Sequence, residues 1–203
     1  SALDLCNGST RGDQNQFLVD RIGIWMNLLN QGMPTTFIAD TDTHTFLNLR
    51  TAGARTWTAS PTDDPDAIDP DDVGGAVLSG RATGGQGLYV QARLHETDDP
   101  GNEASLGWGG QTGIDTAGDP DVTLVIDVQA PVWAPFDTVE IYANAATFVT
   151  GTSGGVPVDF GAVPTMVLQA GVDLVLPAPM VVDAGVPGAA RQELHLDVPL
   201  TLT

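Results

Sequence analysis

The sequence predicts an α+β chain in which βα units come first and an antiparallel β-sandwich follows. Three observations carry that expectation. An amphipathic helical run lies between two short apolar strand-like runs within the first 44 residues. Near residue 85 the texture changes to short β-rich runs separated by Gly, Pro and Asp. The C-terminal stretch alternates apolar and mostly polar residues, the pattern of a half-buried strand. The expected division is residues 1–84 for the βα part and 85–203 for the sandwich.

Taken in order, Leu3 to Cys6 reads as a strand closed by the turn-forming pair Asn7-Gly8. No signal-peptide pattern precedes it, so the chain is expected to begin within a fold. Arg11-Gly12-Asp13 spells an adhesion tripeptide, but three residues recur by chance, and Asp13 with Gln16 forms a capping box. From there to Asn30, Leu18, Ile22, Trp25, Met26 and Leu29 recur at helical spacing. Gly32 then ends the helix and Pro34 prevents its resumption. Phe37-Ile38-Ala39 is the next strand, which completes a βαβ unit. Arg55 to Ala59 favours a strand. Residues 61–72, with six Asp and three Pro, form a solvated acidic connection that lacks the ligand spacing of an EF-hand. Asp69-Pro70 caps a short helix running through Leu78 and ended by Gly80.

In the second part, strands are expected at 88–94, 122–128, 138–142, 165–168 and 172–176, with a long one through Leu194, Leu196, Val198, Leu200 and Leu202. Pro199 in that last run indicates that one of its edges is free. Trp133 is expected to plug the core, and His95 and His195 read as surface histidines.

Composition narrows the function. Seven basic residues against 26 acidic ones give a net charge of −19, with no Lys at all. Such a surface repels nucleic-acid phosphates and anionic lipid, and it favours cations. No stretch is long and apolar enough to span a membrane. Of the acids, 22 are Asp and 4 are Glu, a bias towards turns and loops. Cys6 is the single cysteine, so no internal disulfide forms.

The chemistry-bearing stretch is Thr35-Thr36-Phe37-Ile38-Ala39-Asp40-Thr41-Asp42-Thr43-His44. Side chains two apart on an extended chain project the same way, which puts Asp40, Asp42 and His44 on one side. At the carboxyl end of a parallel strand, two carboxylates and an imidazole suit a divalent cation such as Zn²⁺ or Mn²⁺.

Asp4-Leu5-Cys6-Asn7-Gly8, Trp25-Met26-Asn27-Leu28-Leu29-Asn30-Gln31-Gly32, Ala39-Asp40-Thr41-Asp42-Thr43-His44 and Gly53-Ala54-Arg55-Thr56-Trp57 stand in that order. Together they resemble the C-terminal part of a PHP-type (polymerase and histidinol phosphatase) metallohydrolase, in its secreted or periplasmic branch. Leu78-Ser79-Gly80-Arg81, Val128 to Trp133 and Val139 to Asn144 extend the resemblance to about residue 145. The resemblance implies the closing units of a (β/α)7 barrel, phosphoesterase-like hydrolysis, two or three divalent ions (Zn, Mn or Fe) and a periplasmic or extracellular location. Asp42 and His44 match the family's late Asp-x-His ligands, with Asp42 also placed to orient the attacking water. Asp40 falls where the family more often has Asn or Gly. Arg55 is implied either to neutralise substrate charge or to pair with the acidic loop.

The family's early His-x-His pair, bridging Glu and middle histidines have no counterpart in this chain. Two or three ligands do not complete a catalytic shell. The expectation is therefore a hydrolase part, not competent alone, whose partner is the N-terminal half of the same precursor or a companion chain. The alternative is a non-catalytic extracellular structural protein that self-associates into homo-oligomers. It draws on the absence of Lys, the many Gly and Thr, and a long apolar strand suited to a neighbour's sheet edge. A third reading, a carbohydrate-binding sandwich using Trp108 or Trp133, ranks last.

Overall fold

A computed structural model of the protein describes residues 2–7, 14–41, 54–97, 99, 103–106, 120–143, 151–153, 156–159, 165–185 and 189–202. These fall into two compact units. One lies within Ser1–Gln86 and Ala146–Ala162, the other within Gly87–Leu106, Thr112–Ala145 and Val163–Thr203.

The first unit opens with strand β1 (Ala2–Asn7), helix α1 (Gln14–Asn30) and strand β2 (Thr36–Asp40). The strands pair in parallel from Ala2–Thr36 to Asn7–Asp40, with an irregularity between Asp4 and Cys6. A parallel pair needs a crossover, and α1 supplies it. The helix ends where the sequence places its stop: Gly32 adopts a φ of +72°, a left-handed conformation costly to residues with a Cβ. Trp25 is buried, its indole Nε1 donating to the Thr35 carbonyl at 2.6 Å, and its ring tilts against Phe37 with centroids 5.9 Å apart. Strands β3 (Arg55–Thr58) and β4 (Ala82–Gly85) form an antiparallel pair, and α2 (Pro70–Leu78) lies between them in sequence. Asp69 caps α2 by accepting the Asp71 N–H, as Asp69-Pro70 predicts. The buried Thr36 hydroxyl donates to the Val77 carbonyl at 2.6 Å, so β2 satisfies one of the helix-end acceptors. Strands β9 (Gly151–Ser153) and β10 (Val156–Asp159) form a short antiparallel pair.

The second unit is built on an antiparallel sheet of five strands. They are β5 (Tyr89–Glu96), β6 (Glu103–Leu106), β7 (Asp121–Pro131), β12 (Met180–Val181) and β13 (Ala190–Thr201), in the order β12-β13-β7-β5-β6. Strand β7 is central: it pairs with β5 from Tyr89–Gln129 to Glu96–Val122, and with β13 from Arg191–Pro131 to Thr201–Asp121. Leu124, Ile126 and Val128 of β7 and Leu194 and Val198 of β13 form the buried face. That face packs with Ile141 and Val139 of β8 (Thr138–Ile141), Met166 and Leu168 of β11 (Met166–Gln169), and the buried Leu174. Fully burying one such aliphatic side chain stabilises by ~1.5–3 kcal/mol, so this face is the main stabilising feature of the unit.

The (β/α)7 barrel expectation is overturned. Among the described residues there are thirteen strands and two α-helices, and β1–β2 is the one parallel strand pair. A barrel needs the crossover repeated until the sheet closes. After β2 the chain instead supplies short Thr-, Val- and Gly-rich runs that pair antiparallel. Two local expectations fail as well. The run 172–176 is not a strand: it begins in a turn, in which Val172, Asp173 and Leu174 all donate to the Gln169 carbonyl. Trp133 is 57% exposed rather than a core plug; its ring lies where any Cβ on Gly87 would collide.

Candidate functional site

Asp40 closes β2 and is exposed, with Asn7 at the paired position on β1. Two parallel strands thus end side by side at this edge. The position is held by a side-chain clasp: the Thr56 hydroxyl accepts the Ala39 N–H at 2.9 Å and donates to the Ala39 carbonyl at 2.8 Å. One hydroxyl serves both backbone groups of a buried strand residue, in place of a neighbouring strand. Gly84 of β4, the partner of Thr56, comes close enough that a Cβ on it would lie 3.1 Å from the Cβ of Ala39. Asp40 and Arg55 each stand one residue from this clasp. The Arg55 guanidinium carbon lies 5.7 Å from the centroid of the Trp57 ring, a cation–π arrangement.

Asp42 and His44 lie outside the described residues. Among the described residues no group of three or more His, Cys, Asp or Glu side chains is gathered to hold a metal ion. Asp40 is the member of the expected ligand set that is described, and one carboxylate does not hold a catalytic divalent ion.

A second constellation, missed in the sequence, lies on the outward face of the five-stranded sheet. Asp127 of β7 accepts from Arg93 of β5 at 3.1 Å and pairs with Nδ1 of His195 on β13 at 2.7 Å. Nε2 of His195 lies 3.4 Å from Asp197. The hydrogen bond to Asp127 holds the His195 imidazole above its ordinary pKa, against slight desolvation, with the charges of Asp127 and Asp197 adding to it. The same bond holds the Asp127 carboxyl below the usual carboxylate range; burial opposes this and Arg93 reinforces it. The alternation of β13 does turn His195 outward in the sequence. Its partner Asp127 is 68 residues away and becomes visible only once the β7–β13 register is known.

Among the described residues the same sheet has an open side. Strand β12 covers β13 only at Ala190 and Arg191; beyond that, no strand among the described residues pairs with β13 on the side away from β7. Backbone polarity along this edge is fixed by the bonds at its two ends. Leu202 N–H donates to the Pro120 carbonyl and Val132 N–H to the Ala190 carbonyl, so even-numbered residues of β13 turn their backbone groups to β7. Odd-numbered residues, from Glu193 through His195 and Asp197 to Pro199, turn theirs to the open side. Pro199 therefore costs the β7 ladder no donor, in accord with the free edge read from the sequence.

No helix among the described residues is long and apolar enough to cross a membrane. Comparison of the chain with protein-family models, with curated proteins and with solved structures finds no match.

Proposed function

We propose that the protein is a non-catalytic structural module that acts by association through its antiparallel sheet. The observation that supports this reading best is the open edge of β13, a long strand with a buried apolar face and backbone groups directed away from β7. Such an edge is a template for another strand. The exposed aliphatic residues Met180, Val181 and Val182, on and next to the neighbouring edge strand, extend an apolar border beside it. Sedimentation over a range of protein concentrations, with and without a chelator, tests the proposal. Concentration-dependent assembly indifferent to the chelator supports it, and a monomer at every concentration rejects it.

A second reading, part of a metal-dependent phosphoesterase-like hydrolase completed by another chain, is favoured by one feature. Asp40 ends a parallel strand, and Asp42 and His44 follow in the sequence. Calorimetric titration with Mn²⁺ or Zn²⁺ tests it. Binding lost on Asp42→Ala and His44→Ala supports it, and no binding, or binding unaltered by either, rejects it.

A further inference from the structure

We infer that the occupant of the open β13 edge is β13 of a second copy of this chain, paired antiparallel about a two-fold axis centred on Leu196. This rests on the association reading above and goes further by naming the partner and the register.

Facing residues of neighbouring strands share a sheet face, so a self-pairing register must set odd residues against odd and even against even. Strand β12 already occupies the edge at Ala190 and Arg191, leaving Gln192 onward. Centring on Leu196 sets His195 opposite the partner's Asp197, and Asp197 opposite the partner's His195. Each pair sets an imidazole against a carboxylate, complementary in charge when His195 is protonated, and Glu193 falls opposite the partner's Pro199 with no like charge facing it. On the apolar face Leu194 meets Val198, and Leu196 meets itself. Centring on Asp197 would set two carboxylates against each other, which is destabilising across strands. Centring on Leu194 would require the positions that β12 holds.

Backbone donors and acceptors agree with this choice. His195 and Asp197 are odd, so their N–H and C=O groups point to the open side and exchange hydrogen bonds in full. Pro199 lacks a donor, but its carbonyl still accepts from the partner's Glu193. The missing bonds fall at the two ends of the pairing rather than its centre. From Gln192 to Leu200 the paired length is about 30 Å, at roughly 3.4 Å per residue.

Charged residues on an exposed edge commonly guard against self-pairing. Here carboxylates and an imidazole alternate at a self-complementary spacing, so the same residues select a register instead. His195 is also faced by Asp127 of β7, which in turn holds Arg93 of β5; Glu193 shares its strand and face. Its Nδ1 remains on Asp127 while Nε2, 3.4 Å from its own Asp197, is the nitrogen available to the partner's carboxylate.

Cysteine cross-linking of the full chain tests this, in a Cys6→Ser background that removes the single native thiol. Even residues form the non-hydrogen-bonded pairs between copies, where Cα atoms approach to about 4.5 Å, within disulfide reach. Leu196→Cys is expected to give a disulfide-linked dimer on mild oxidation; Leu194→Cys and Val198→Cys are expected to give none. Asp197→Arg, a surface change that leaves the buried face intact, sets like charges opposite and is expected to weaken association by about tenfold or more. Assembly that persists at full strength in Asp197→Arg, or that cross-links equally at all three positions, overturns the register while leaving the association reading standing. The absence of assembly in the unmodified chain removes both.

Discussion

The parallel pair β1–β2 and the antiparallel pair β7–β13 show two ways of holding a strand in this chain. The first is a short ladder, finished by side chains: Thr36 reaches α2, and Thr56 takes both backbone groups of Ala39. The second is an uninterrupted ladder whose stability comes from a continuous aliphatic face. The difference teaches where each is vulnerable. In the first, loss of one hydroxyl leaves a strand residue unsatisfied; in the second, backbone pairing survives single surface changes but not a hole in the apolar face.

The largest effect should therefore come from the second region. Ile126→Ala or Leu194→Ala removes a buried aliphatic group and leaves a cavity, with an expected loss of ~2–5 kcal/mol in chemical denaturation. A loss below that range would mean that the inner face is loosely packed. Next is Thr56→Val, close in shape but without the hydroxyl. It should cost ~1–3 kcal/mol because the Ala39 N–H and carbonyl lose their partner. Thr56→Ser, which keeps the hydroxyl, should lose much less, and a Val variant as stable as the unmodified chain beside a destabilised Ser variant would show that the methyl group, not the clasp, matters.

Smaller still is the surface network on β7 and β13. The raised His195 pKa means a stabilisation fully present below its ordinary 6.5 and lost as pH rises through the folded value. The lowered Asp127 pKa means a stabilisation present above 3.8 and lost as pH falls through the folded value. The pair therefore contributes most between pH 3.8 and 6.5. Since His195 is exposed and screened, its size is that of a surface ion pair, ~0.2–1 kcal/mol. The difference in thermal stability between the unmodified chain and His195→Asn should narrow above pH 6.5, and a constant difference across pH would assign the effect to packing. The smallest effect is at Tyr142, whose phenol is pushed up to about 12 by burial and by its hydrogen bond to Glu140. Ultraviolet titration should show one of the two tyrosines ionising late, and Tyr142→Phe should remove that step.

Legibility in the sequence follows the same contrast. Signals that act within a few residues were readable: the α1 periodicity, its stop at Gly32, the Asp69-Pro70 cap and the alternation of β13. A single βα crossover was readable too, but not the number of times it repeats; the barrel rested on the family resemblance, and the one unit could not test it. Trp133 was misjudged because an aromatic residue at a strand end has the same local pattern whether the chain buries it or lays it over a glycine. The clasp at Ala39 and the Asp127–His195 pair were not legible at all, since each joins residues far apart in the chain. Of the expected metal ligands, Asp40 stands at the strand end anticipated for it, while Asp42 and His44 lie outside the described residues.

The use of β13 as an edge is tested most directly by residue-resolved amide hydrogen exchange along that strand, followed from dilute to concentrated protein. Leu194, Leu196 and Val198 should be protected throughout, because their amides face β7. Those of Glu193, His195 and Asp197 should exchange rapidly when dilute and become protected as concentration rises. Odd-position amides that stay fast at every concentration, or are already protected in the dilute monomer, would contradict the account.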